Sequence, residues 1–119
     1  MTPPPAPPLR PGQVLVISFP TFTPQLTIHS ERELTVEIVA GEGTGFADRV
    51  EYEAVTVRED LVVLSWQEHI GSTIVHVLDF RSSRAHTAVT PAGGGFLRLT
   101  GPIEVRPAAR EGTPGRSGG

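Results

Sequence analysis

The chain has 119 residues, a net charge of −3, and neither cysteine nor lysine. That length bounds a single domain with one modest core, and the missing cysteines exclude disulfides and thiolate metal sites. All ten basic residues are arginines scattered along the sequence, so there is no basic stripe of the kind nucleic-acid binding needs.

Residues 1–11 (MTPPPAPPLRP) lack apolar periodicity and read as a disordered Pro-rich tail. From Gly12 onward, Gly and Pro punctuate short runs rich in Val, Ile, Leu and Thr, which is a strand pattern. The runs predict strands over 13–19, 25–29, 33–39, 50–58, 61–68, 72–80, 84–90, 95–100 and 102–106. Pro20 and Pro24 are expected outside strand centres, since proline cannot donate to a ladder. The glycine-rich loop 41–45 is no phosphate loop, because no helical pattern follows it and the chain has no lysine. Residues 107–119 again read as a disordered tail, which leaves residues 12–106 as the folded domain.

Short connections favour antiparallel neighbours, and eight or nine such strands favour closure. The fold class expected is therefore an all-β antiparallel meander barrel, with a two-sheet sandwich as the alternative. No apolar run follows Met1 and no window approaches the ~18 apolar residues of a membrane span, so a cytoplasmic soluble protein is expected.

The run from Leu61 to Asp79 carries the most chemistry. His69-Ile70-Gly71 suits a three-residue hairpin loop with Gly71 in the left-handed position. Glu68 then faces Ser72, Trp66 faces Ile74, Leu64 faces His76, and Val62 faces Leu78. This face is apolar with a few polar groups, and it is assigned to the lumen as a pocket wall. Ligand contacts are expected from Trp66, Leu64, Ser72, Ile74 and Leu78. Tyr52, with Thr56 and Arg58 on its face, is expected to reach the same lumen. Glu68 and His76 are the candidate catalytic residues. They lie two cross-strand pairs apart, roughly 13 Å, too far for a direct hydrogen bond. The outer face of this hairpin is also fairly apolar, and a second copy of the chain is the expected cover, giving a homodimer.

His29, His69 and His86 are expected at the surface. No His-x-His pair or convergent His cluster implies a metal, and no cofactor is implied. No Ser/His/Asp arrangement has supporting local geometry.

The ordered set VEYEAV, LSWQE, a turn Gly, TIVHVLDF, a further Gly turn and FLRLTG resembles the MoaF-like proteins (related to molybdenum cofactor biosynthesis protein F). The resemblance implies a lipocalin-like (calycin) barrel, little about activity, and gene neighbours that serve accessory steps in small-molecule biosynthesis. A more distant resemblance is to phenolic acid decarboxylases, whose hairpin order is matched by Ser65, Trp66, Glu68 and Gly71. It implies a catalytic acid at Glu68. That family's arginine would fall near Gly45 and its tyrosine pair within 13–19, where this chain has no tyrosine. The carboxylate anchor is therefore missing. Three functions are expected to compete: a lyase, isomerase or cyclase using Glu68 on an unsaturated or aromatic metabolite; a non-catalytic carrier; and an accessory protein docking by its outer face.

Overall fold

The computed structural model describes residues 9–107. Among them there are eight strands and no helix: β1 (Val14–Ile17), β2 (Phe22–Ile28), β3 (Glu33–Gly41), β4 (Ala47–Arg58), β5 (Leu61–Gln67), β6 (Thr73–Asp79), β7 (Arg84–Thr90) and β8 (Leu97–Arg106). Each pairs antiparallel with the next, and β1 closes on β8, giving a closed barrel in chain order. Among the described residues no helix is long and apolar enough to cross a membrane.

Alternation builds the core. Leu15 and Ile17 on β1, Leu26 and Ile28 on β2, and Leu34 on β3 point inward and are at most 1% exposed. Val62, Leu64 and Leu78 join them across the lumen with the same exposure. A period of two places every second residue on one face, so one apolar set fills the interior. The side chains leave the middle of the lumen occupied.

The β1–β2, β3–β4, β5–β6 and β7–β8 connections lie together at the hairpin end of the barrel. The opposite end is closed by Leu9. Leu9 was expected in the N-terminal tail, but it is buried and belongs to the core cluster. The backbone beside it is fixed by the Gly12 N–H on the Ile28 carbonyl (2.7 Å) and the Gln13 N–H on the Arg10 carbonyl (3.0 Å). An apolar side chain over the barrel end removes the end of the core from water, and that gain holds the segment down. The other residues of both expected tails lie outside the described ones, apart from Arg10, Pro11 and Pro107.

Three strand expectations change. The strands expected over 95–100 and 102–106 form one strand, β8, running through Gly101 and Pro102. Proline removes a donor, yet its carbonyl still accepts the Ser18 N–H at 3.1 Å. Gly101 is required there, because a Cβ would run into the Ser18 backbone carbonyl. Pro24 lies inside β2 rather than outside it, at a register shift between Thr23 and Pro24. A bulge is one of the few places a strand tolerates proline. A second register shift, between Thr56 and Arg58, pairs Arg58 with the outward-facing Leu61 and takes it off the face of Tyr52. One extra residue reverses the facing of the positions beyond it.

Candidate functional site

The central hairpin has the predicted register: Val62 pairs with Leu78, Leu64 with His76, and Trp66 with Ile74. Gly71 has φ of 105°, and its N–H bonds the Glu68 carbonyl at 2.8 Å while the Glu68 N–H bonds the Ser72 carbonyl at 2.7 Å. The face assigned to the lumen is the buried face. Ser72 and His76 are its buried polar residues, and Thr87 on β7 is buried beside them.

Trp66 joins the two candidate catalytic residues. Its indole N–H donates to the Glu68 carboxylate at 3.3 Å, and its ring lies 5.1 Å from the His76 ring at a 49° tilt. Phe19 stacks on His76 as well, with centroids 6.4 Å apart and planes within 6°. His76 Nδ1 shares a 2.7 Å hydrogen bond with the Thr87 hydroxyl, its direct cross-strand partner. No partner for His76 Nε2 lies among the described residues. Burial alone pushes the His76 pKa down to about 3, so the ring is neutral at physiological pH. Sequence reasoning missed Phe19 and Thr87. Thr87 was within reach, since extending the register by one strand sets it opposite His76.

Glu68 is half-buried at the hairpin end. Burial raises its pKa, the Trp66 N–H opposes this, and the charge of Asp48 adds to it. Asp48 accepts from the His69 backbone N–H and pairs with its ring Nδ1, both at 2.8 Å. Burial works to raise the Asp48 pKa, but the bonds and charge of His69 outweigh it and the carboxyl titrates below its ordinary value. Ser72 Oγ accepts the Ala92 N–H at 3.2 Å and so ties the turn to the β7–β8 connection. His29, His69 and His86 are exposed.

Leu64 and Leu78, expected to touch a ligand, have no exposed surface and are core. Two hollows, about 450 and 510 Å³, open on the outer wall around Ser65, Gln67 and Thr73 and around Glu33 and Arg49. A hollow of about 370 Å³ opens over β6–β8. A smaller one, about 230 Å³, opens at the Leu9 end. Its strand lining consists of the inward-facing Tyr52, Ala54, Thr56 and Val62, with Leu9 and Glu31 at its rim. Ala54 and Thr56 point inward yet remain exposed, because β4 runs on past its pairing with β3, which ends at Glu33–Glu51. The small Ala54 side chain leaves the space that a larger residue would fill. Tyr52, 8% exposed, forms one wall, and its hydroxyl donates to the Ser30 carbonyl at 2.6 Å. None of the four hollows takes in Glu68 or His76.

A closed eight-stranded antiparallel meander with an apolar lumen and a pocket at one end defines a small lipocalin-like barrel. More particularly, the chain belongs to the MoaF-like family, whose family model matches residues 11–104. Among solved structures it is similar to a protein from Burkholderia vietnamiensis described as a "putative beta-lactamase". The two share 26% identity with a TM-score of 0.78, over 85% of this chain and 99% of the other. No curated protein matches the chain.

Proposed function

We propose that this barrel binds a small, mostly apolar organic molecule in the pocket at its Leu9 end. The observation that carries the reading is that this pocket is the hollow whose strand lining consists of inward-facing residues, Tyr52, Ala54, Thr56 and Val62. Its volume, about 230 Å³, lies below the usual range for drug-sized ligands and suits a smaller one, of roughly ten heavy atoms. Apolar walls with a few polar groups are what such sites use to combine affinity with orientation. The lumen beyond is filled with side chains, so a long ligand running down the barrel is disfavoured. Titrating the full chain with small aromatic fragments and following backbone amide resonances tests this. Shifts gathered at Tyr52, Ala54, Thr56 and Val62 support the reading; shifts confined to the outer wall oppose it.

Acid–base catalysis at the hairpin end is a second reading, favoured by the raised pKa of Glu68 beside the Trp66 indole. A carboxyl whose pKa is raised toward neutrality is suited to general acid work. A bound molecule that emerges chemically altered, with the change lost in Glu68→Gln, supports it; release of an unchanged molecule leaves binding alone. The beta-lactamase description of the structural relative does not carry over. That chemistry needs an activated nucleophile or a metal-bound water. Among the described residues no group of three His, Asp or Glu side chains is placed to hold a metal, and the hydroxyls of Ser30 and Ser72 meet backbone N–H groups and not a His, Asp or Glu side chain that could act as base.

A further inference from the structure

Building on the ligand-binding reading of the Leu9-end pocket, we infer that its ligand carries an amine and that Glu31 selects it. Among the described residues no Arg or His side chain lines the pocket, and Glu31 supplies the one carboxylate. The phenolic proton of Tyr52 is committed to the Ser30 carbonyl, which leaves the phenol oxygen as an acceptor. Ser30 Oγ already accepts the backbone N–H groups of Arg32 and Glu33, both at 3.1 Å. The Ser30 and Thr56 hydroxyls each keep a proton to donate, the Ser30 carbonyl and the Tyr52 oxygen are acceptors, and the one formal charge in this lining is the Glu31 carboxylate.

An ammonium group has three donors and a positive charge, and it satisfies these acceptors and this charge. A ligand carboxylate meets a like charge and no cationic donor. The charge of Glu31 is felt at the pocket wall, since it adds to burial in raising the pKa of Tyr52. The apolar remainder of the ligand packs on Leu9, Ala54, Val62 and the Tyr52 ring. Glu31 itself is exposed, so water screens it and the preference is modest.

Three probes of similar size and shape test this: phenethylamine, phenethyl alcohol and 3-phenylpropionate, titrated into the full chain at pH 7 and followed by amide shifts at Ala54 and Val62. The amine is expected to bind tighter than the acid by roughly three- to ten-fold at low salt. The gap is expected to narrow in about 0.5 M salt and to vanish in Glu31→Gln, with the alcohol unaffected. An acid that binds as tightly as the amine, or an amine preference that survives Glu31→Gln, overturns the role of Glu31 while leaving the pocket standing. Failure of all three probes to bind, or binding that Ala54→Phe does not weaken, overturns the pocket reading and this inference together.

Discussion

Tyr52 donates its phenolic proton to the Ser30 carbonyl at 2.6 Å, and this bond ties the middle of β4 to the β2–β3 turn. It fixes the wall and the rim of the Leu9-end pocket relative to each other. Tyr52→Phe keeps the ring and removes the bond. A neutral hydrogen bond of this kind contributes about 1 kcal/mol, which for a domain of this size corresponds to a fall in Tm of roughly 4–8 °C. Thermal unfolding followed by circular dichroism measures it. An unchanged Tm would mean that the turn is held by other contacts.

His76 makes part of the acid sensitivity depend on one buried ring. Its folded pKa, about 3, lies below the ordinary 6.5, so between these values the unfolded chain binds the extra proton. Stability from this group is present above pH 6.5 and is lost as the pH falls toward 3. By pH 5 the loss amounts to about 2 kcal/mol. Urea unfolding at pH 7 and pH 5 is expected to show that difference in the natural chain. In His76→Leu the difference is expected to shrink by about the same amount, to what the carboxylates contribute. Equal pH slopes in the two proteins would contradict a neutral buried ring.

Glu68 works in the opposite sense. Its folded pKa is raised, so the folded state holds the proton more tightly than the unfolded one. Its contribution is most favourable below the ordinary carboxyl value and is lost as the pH rises through the raised one. Glu68→Gln keeps an acceptor for the Trp66 N–H and removes the charge facing Asp48. The variant is expected to gain stability at pH 7, and the gain is expected to disappear by pH 4. A loss at pH 7 would mean that a charge-assisted bond to Trp66 outweighs burial.

Much of this architecture was legible because strand chemistry is local. A period of two, a glycine in the left-handed turn position and a three-residue loop are enough to register β5 on β6, and every pair from Val62–Leu78 to Trp66–Ile74 comes out of them. Long-range packing was not legible in the same way. Leu9 comes after a stretch, residues 2–8, in which five of seven residues are proline, and nothing local marks it as a cap on the barrel. Gly101-Pro102 reads as a break, yet β1 packs against it so closely that the glycine permits the strand to continue. The Leu9-end pocket was missed because it arises from the overhang of β4 and from one small residue, Ala54. Trp66 and His76 were correctly placed on one inward face, with Glu68 at its hairpin end. The filled lumen beside them depends on strands far away in sequence.

Gly101 is tested by Gly101→Ala. The added methyl meets the Ser18 carbonyl and the Phe19 ring, so β1 and β8 must part locally. The cost is on the order of 2–3 kcal/mol, read as a lower urea midpoint. A neutral substitution would mean that the β1–β8 seam is looser than its hydrogen bonds indicate.

A small organic molecule held in the Leu9-end pocket is the central claim. Native mass spectrometry of the full chain purified from its own source tests it most directly, beside Ala54→Phe prepared in the same way. A stoichiometric extra mass is predicted in the natural chain, released on denaturation and absent from Ala54→Phe. Retention of the same extra mass by Ala54→Phe, or a bare protein mass in a natural chain that also ignores every fragment offered, would contradict it.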